Sequence, residues 1–159
     1  MSLPHFKFIG TTYEQGLAHG EALQESIAKN IDIYLNRFEN EAGISKYELL
    51  ENTGIYLNVL REQSPEYVNG MNGIAESSNL NILEIAMLNL RYELLYHALG
   101  KLLQSEVVDG CTSFAILPEA TKNNHLIMGQ NWDWIPDVDC VLTTSKDIDG
   151  LQLMSFSEA

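Results

Sequence analysis

The sequence predicts an α+β fold, in which a helical region precedes the first strands of an antiparallel sheet. Apolar residues recur near helical spacing through the first two thirds of the chain, and after Gly110 they fall in short runs typical of strands. The chain then ends at Ala159, directly after a strand and with few strands for so much helical surface. We therefore expect one apparently truncated domain over 1–159, with a helical segment over 1–110 and the beginning of the sheet over 111–159.

Five elements are expected before Gly110, in the order strand, helix, helix, helix, helix. Residues 3–9 predict an edge strand. Thr11 or Thr12 is suited to cap a helix over 13–40 that ends at Ala42-Gly43. A second helix is expected over 46–62, with six apolar residues facing inward: Leu49, Leu50, Ile55, Tyr56, Val59 and Leu60.

Two further helices complete the helical segment. Pro65 marks the start of a short third helix, which Gly70 and Gly73 weaken. Asn81 is suited to cap a fourth helix. Its apolar stripe consists of Ile85, Leu88, Tyr92, Leu95, Tyr96 and Leu99. The Gly16 and Gly20 pair indicates a seam of small residues where two helices pack closely.

Four strands are expected after Gly110, over 111–117, 126–132, 138–144 and 151–156. The polar residues 118–124 join the first two strands as a hairpin loop.

The composition excludes several classes of function. A net charge of −13 argues against nucleic-acid binding and against anionic membrane surfaces. With 45% hydrophobic and 19% charged residues, the chain is not disordered. No apolar run approaches the length of a membrane span, and the first residues do not form a secretory signal. With only two cysteines, a disulfide scaffold is excluded, and we expect a cytoplasmic protein.

Cys111 is the first candidate for chemistry, because it opens the first strand of the sheet. A hairpin folded symmetrically about Thr121 places Cys111 opposite 131–133. Alternation then puts Cys111 and Ser113 on one face of their strand, and Asn131 and Asp133 on one face of the next. Whether these two faces coincide depends on the register, which the sequence does not determine. The alternative is that Cys111 is a small packing residue.

A thiol attacks only as the thiolate, so Cys111 needs a base. A negative neighbour such as Asp133 raises a thiol pKa, although it can orient an ammonium group or bind a substrate cation. Cutting the Gly110–Cys111 bond would release an α-amine whose pKa lies near 8, and this amine can take the thiol proton. Gly110 suits such a cut because a residue without Cβ tolerates a strained backbone.

Five segments together resemble one family. Residues 109–115 (DGCTSFA) and 129–133 (GQNWD) resemble the processing site and following strand of the acyl-coenzyme A:isopenicillin N acyltransferase family of N-terminal nucleophile hydrolases. Residues 10–20, 73–76 and 87–93 are also similar to that family. In these enzymes a precursor cuts itself and exposes a cysteine.

The resemblance implies a four-layered αββα sandwich, incomplete here, and an enzyme that hydrolyses or transfers acyl groups. It implies autocleavage at Gly110–Cys111, with Cys111 as nucleophile and its new amine as base. Asp133 would be the active-site aspartate and Ser113 the hydroxyl near the nucleophile. The residues that contact substrate would be Asn131 and Trp134.

The resemblance also implies partners and limits. The substrate would be a small amide or an acyl thioester, attacked to give a thioester on Cys111, with no metal or organic cofactor. The two chains would stay associated as a heterodimer after cleavage. The family's oxyanion asparagine and an active-site arginine fall beyond Ala159, so we expect the fragment alone to be inactive. The alternative is a non-catalytic helical interaction module or a degenerate, inactive relative.

The remaining polar residues have structural interpretations. The four histidines lack metal-binding spacing, so capping or surface roles are expected for His5, His19, His97 and His125. Asp137 and Asp139 are expected to be solvated loop charges. Buried ion pairs are the first interpretation of Arg91 and Glu93, and substrate contact is the second. A Cys111–Cys140 disulfide is a weaker alternative.

Overall fold

A computed structural model describes residues 3–99 and 111–159, with side chains outside 97–99. The chain divides into two compact units: Met1–Leu102 together with Val138–Ala159, and Leu103–Asp137. Within the described ranges, no helix combines the length and apolar character needed to cross a bilayer.

The first unit contains the helices and a three-stranded sheet. Its helices are α1 (Thr12–Ala42), α2 (Lys46–Gln63), α3 (Pro65–Ser78), α4 (Ile82–Asn89) and α5 (Arg91–Leu99). Its strands are β1 (His5–Ile9), β4 (Cys140–Lys146) and β5 (Gln152–Glu158). The second unit contains β2 (Thr112–Ile116), a 3₁₀ turn (Pro118–Ala120) and β3 (Ile127–Asn131). The mixed helix and sheet content confirms the predicted α+β class.

Helix α1 begins and ends where the sequence predicts. The Thr11 hydroxyl accepts a hydrogen bond from the Glu14 N–H at 3.3 Å, and the Glu14 carboxylate accepts one from the Thr11 N–H at 2.8 Å. The bonds that the Glu14 carboxylate accepts from the Thr11 N–H and from the Thr11 hydroxyl lower the pKa of Glu14. Gly43 ends the helix with φ 66°, a left-handed conformation that glycine adopts without strain.

The predicted small-residue seam is confirmed at the crossing of α1 and α3. A Cβ added at Gly73 would overlap the carbonyl oxygen of Tyr13, and one added at Gly16 would overlap that of Gly70. Gly73 therefore lowers the helix propensity of α3 but permits close backbone packing against α1.

The predicted inward face of α2 is partly wrong. Ile55 is 62% exposed and Val59 is 46% exposed. The buried line is instead Leu49, Thr53 and Leu57, at a spacing of four residues. Thr53 is tolerated there because its hydroxyl donates to the Leu49 carbonyl at 2.8 Å.

The predicted fourth helix is two helices that meet at Leu90. Asn81 caps α4 as expected, since its side chain accepts from the Leu83 N–H at 2.9 Å. Leu90 departs from helical geometry with φ −105° and ψ 8°. The Arg91 side chain donates to the Leu88 carbonyl at 2.6 Å and so satisfies an oxygen at the break. On α5, Tyr96 is 61% exposed rather than part of the apolar stripe, and the Leu99 side chain lies outside the described residues.

The three-stranded sheet has the order β1-β4-β5. β5 pairs antiparallel with β4, but β1 pairs parallel with it, from His5 opposite Leu142 to Ile9 opposite Lys146. The edge position of β1 is confirmed, and the predicted antiparallel pairing holds for β4 and β5. The parallel pairing of β1 with β4 is a feature that the sequence did not predict. A parallel pair needs a long crossover, and the intervening helices provide it.

Polar side chains of α1 bind the segment that follows Val138. The fully buried Asn30 donates to the backbone oxygens of Asp139 at 3.0 Å and Ala159 at 3.3 Å, and it accepts from the Asp139 N–H at 2.9 Å. Lys29 forms an ion pair with the Asp139 carboxylate at 2.5 Å. The Tyr34 hydroxyl donates to Glu158 at 2.8 Å. These bonds join residues from both sides of Gly110.

Candidate functional site

The candidate site is a β-hairpin whose strands and loop match the prediction. β2 and β3 pair antiparallel, from Thr112 opposite Asn131 to Ile116 opposite Ile127. In the loop, the Thr121 hydroxyl donates to the His125 carbonyl at 2.8 Å and accepts from the His125 N–H at 3.0 Å. Extending this register by one residue puts Cys111 opposite Trp132, within the predicted range of 131–133.

This register determines which side chains share a face. Directly opposed residues of an antiparallel pair point to the same side, and Ser113 is opposite Gln130. Cys111, two residues before Ser113, lies on that same face. Asn131 is opposite Thr112 and therefore lies on the other face of the hairpin.

The packing of Phe114 supports this assignment. Phe114 is opposite Gly129, and its ring lies so close that a Cβ added to Gly129 would meet it at 2.5 Å. The ring thus covers the glycine on the face that also carries Asn131. The same alternation places Ser113, Gln130 and Trp132 on the Cys111 face.

Cys111 is exposed, and its Sγ lies 4.0 Å from the backbone carbonyl oxygen of Asp133. The thiol and Asp133 are therefore brought together through the main chain. The Asp133 side chain is exposed, and Trp134 is half-buried just beyond the strand. Of the residues predicted to act after cleavage, Ser113 shares the face of Cys111, and Asp133 approaches the thiol only through its backbone carbonyl. Asn131 lies on the other face, and the same alternation assigns the Asp133 side chain to the Asn131 face.

The predicted cleavage bond joins a described residue to one that is not described. Gly110 lies outside the described residues, whereas Cys111 is the first described residue of the second range, 111–159. Autocleavage at Gly110–Cys111 remains a prediction.

The other cysteine is unsuited to nucleophilic chemistry. Cys140 lies on β4 opposite Glu158. Partial burial, together with the negative charges of Glu158 and Asp139, raises the pKa of the Cys140 thiol to about 11. Neither cysteine forms a disulfide, so the alternative of a Cys111–Cys140 disulfide is wrong.

A cavity of about 190 Å³ in the first unit contains further polar groups. Arg91 lies in its wall, with its Nε 3.0 Å from a Glu158 oxygen, and the Glu158 side chain is only 6% exposed. The predicted buried ion pair is confirmed for Arg91, whereas Glu93 is exposed. The surface or capping role predicted for His19 is wrong, because its ring stacks on Phe8 at 5.3 Å and burial lowers its pKa.

The remaining polar predictions have mixed outcomes. His5 bonds Thr144 at 2.9 Å, and the His97 side chain lies outside the described residues. Asp137 is exposed as expected, but Asp139 is held by Lys29, which lowers the pKa of the carboxyl. The described parts of the chain contain no cluster of three residues able to hold a metal ion.

Sequence reasoning missed Gln130 and Asn30. Gln130 shares the Cys111 face only once the hairpin register is known, because a shift of one residue would place it on the other side. Asn30 lies on an otherwise apolar face of α1. A polar residue at such a position is the sequence signal that would have indicated a buried hydrogen bond.

Comparison with known proteins shows that the chain is similar to a curated acyltransferase. The chain is 31% identical over 130 residues, 82% of its length, to the acyl-coenzyme A:6-aminopenicillanic-acid-acyltransferase 40 kDa form of Emericella nidulans. The chain spans about a third of that relative, with the match covering 34% of the relative's length. No family model matches the chain.

Proposed function

Because this chain belongs to the family of the acyl-coenzyme A:6-aminopenicillanic-acid acyltransferase, we propose that it carries the nucleophile of a self-cleaving cysteine acyltransferase or amidohydrolase. One observation carries the proposal. Cys111 directly follows Gly110, begins the exposed hairpin with Ser113 on its face, and lies 4.0 Å from the Asp133 carbonyl.

Self-cleavage would proceed by attack of Cys111 on its own preceding peptide bond. The Sγ atom adds to the Gly110 carbonyl carbon, the bond to the Cys111 nitrogen breaks, and the thiol proton passes to that nitrogen. The product is a thioester between Gly110 and Cys111. Water hydrolyses this thioester, releasing the Gly110 carboxylate and leaving Cys111 with a free thiol and a free α-amine.

In turnover, the α-amine of Cys111 takes the thiol proton, since its ordinary pKa is near 8. The thiolate attacks an amide or thioester carbonyl, and the ammonium returns its proton to the departing amine or thiol. The resulting thioester on Cys111 is resolved by water or by an acceptor amine. This chemistry needs only residues of the protein, and acyl-coenzyme A enters as an acyl donor.

The neighbouring residues have supporting roles. Asp133 orients the Cys111 ammonium, and Ser113 supplies a hydroxyl on the nucleophile's face. Asn131 and Trp134 are proposed substrate contacts on the strength of the family resemblance. For Asn131, this requires a substrate that extends past the hairpin edge, because its side chain lies on the opposite face.

We further propose that the fold is an N-terminal nucleophile αββα sandwich whose two chains stay associated as a heterodimer. The support is that β1, from before the cut, pairs with β4, from after it. Asn30 and Arg91 contact Asp139 and Glu158 across the same division. Separating the two chains would leave these buried polar groups without partners, which is costly.

The test is to trap the acyl-enzyme in the full-length polypeptide that contains this chain. After incubation with an acyl-coenzyme A probe and an acid quench, intact mass should show one acyl group on the chain that begins at Cys111. Hydroxylamine should remove it, Cys111→Ala should abolish it, and Cys140→Ser should retain it. An adduct that persists in Cys111→Ala, or turnover without any Cys111 adduct, would contradict the proposal.

A further inference from the structure

Gln130 occupies a position that the proposed mechanism does not use. It is directly opposite Ser113 in the β2–β3 ladder, so the two side chains share one face. Opposed side chains in an antiparallel pair have Cβ atoms about 5 Å apart, and diagonal neighbours lie roughly 7 Å apart. When the register is extended one residue beyond the Thr112–Asn131 pair, Trp132 is directly opposite Cys111 and Gln130 is its diagonal neighbour on this face, a distance that a long side chain spans.

The Gln130 amide is available to a ligand. β3 is exposed at this residue, and no hydrogen bond joins the Gln130 side chain to a described residue. The amide offers an N–H₂ donor and a carbonyl acceptor in one plane. A secondary amide presents the complementary pair, whereas a simple thioester lacks the N–H donor.

We infer that Gln130 is a substrate-positioning residue that hydrogen-bonds the amide group of a molecule reacting at Cys111. The inference rests on the proposed role of Cys111 as nucleophile, and it assigns amide-bearing compounds as the class of substrate favoured at this face. Gln130 acts by holding the reacting molecule, not by transferring a proton.

The test compares two reagents that alkylate or thiolate Cys111 in this chain. Iodoacetamide carries an amide group beside its reactive carbon, and methyl methanethiolsulfonate carries none. Rates at Cys111 are measured by peptide mass mapping, so that Cys140 is counted separately. Gln130→Met keeps the length of the side chain and removes the amide, while Gln130→Asn withdraws the amide by one methylene.

Loss of one hydrogen bond of ordinary net strength corresponds to roughly a two- to tenfold fall in rate. Gln130→Met should therefore lower the iodoacetamide rate by about that factor and leave the methanethiolsulfonate rate unchanged. Gln130→Asn should also lower the iodoacetamide rate relative to the methanethiolsulfonate rate, and it provides the test if Gln130→Met does not fold. The control is Gln152→Met, an exposed glutamine on β5, which should leave both rates unchanged.

Two results would overturn the inference. The iodoacetamide rate could stay at the parental value in a folded variant, or both rates could fall together, which would indicate a change at the thiol itself. Self-cleavage is measured separately by intact mass in the full-length polypeptide. A chain that cleaves but shows no reagent discrimination would refute the role of Gln130 and leave the proposed function standing.

Discussion

Replacing Asn30 with alanine should destabilise the first unit strongly, because this side chain links α1 to the segment after Val138. It is fully buried and makes three hydrogen bonds to backbone groups of Asp139 and Ala159. At about 1 kcal/mol each, with a further penalty for backbone groups left unpaired, the loss is about 3–4 kcal/mol. That is a large part of the stability of a small domain.

Urea unfolding followed by circular dichroism measures this loss. With a denaturant dependence of about 2 kcal/mol/M, the Asn30→Ala midpoint should fall by roughly 1.5–2 M at unchanged slope. Asn58→Ala is the matched control, since Asn58 is exposed on α2 and accepts a hydrogen bond from Arg61 at 2.9 Å. Its cost should stay below about 0.5 kcal/mol. Equal midpoint shifts for the two variants would refute the assignment of Asn30 as a structural link.

Three further predictions concern packing, charge and pH. Gly73→Ala should lower the free energy of unfolding by roughly 2 kcal/mol, because the added Cβ would overlap the backbone of α1. Gly54→Ala is the control: its Cβ would meet nothing closer than 3.8 Å, so it should raise the free energy of unfolding by about 0.5–1 kcal/mol. Thermal unfolding measures both, and equal shifts of the melting temperature would contradict the close packing of α1 and α3. Arg91→Met should lower the free energy of unfolding by about 3 kcal/mol, because Glu158 would stay buried without its cation. Adding Glu158→Gln to this variant should restore part of that loss, which a double-mutant cycle measures. Strictly additive losses would contradict the ion pair. The raised pKa of Cys140 means that the folded state holds the thiol proton more tightly than the unfolded state does. This contribution to stability is complete below pH 9 and is lost as the pH rises towards about 11. Cys140→Ser should weaken the fall in stability over this pH range, and an unchanged dependence of stability on pH would contradict the prediction.

The elements that the sequence predicts well are those with strong local signals. The capping box of Thr11 and Glu14, the Pro65 start and the hairpin about Thr121 each depend on neighbouring residues, and all three occur. The local sequence pattern did not predict the features that depend on tertiary packing. The sequence does not show that β1 pairs with β4, because that contact joins residues far apart in the chain.

The candidate site shows the same division. Spacing identified Cys111 and its hairpin, and the symmetric fold about Thr121 placed the opposing residues correctly. The shared face required the exact pairing, since a shift of one residue exchanges Gln130 and Asn131 beside Ser113.

The most direct test of the self-activating cysteine is the intact mass of the full-length polypeptide under denaturing conditions. The account predicts two chains that divide at Gly110–Cys111, and a single chain when Cys111 is replaced by alanine. One uncut chain from folded parental protein would contradict it and would favour the non-catalytic interaction module.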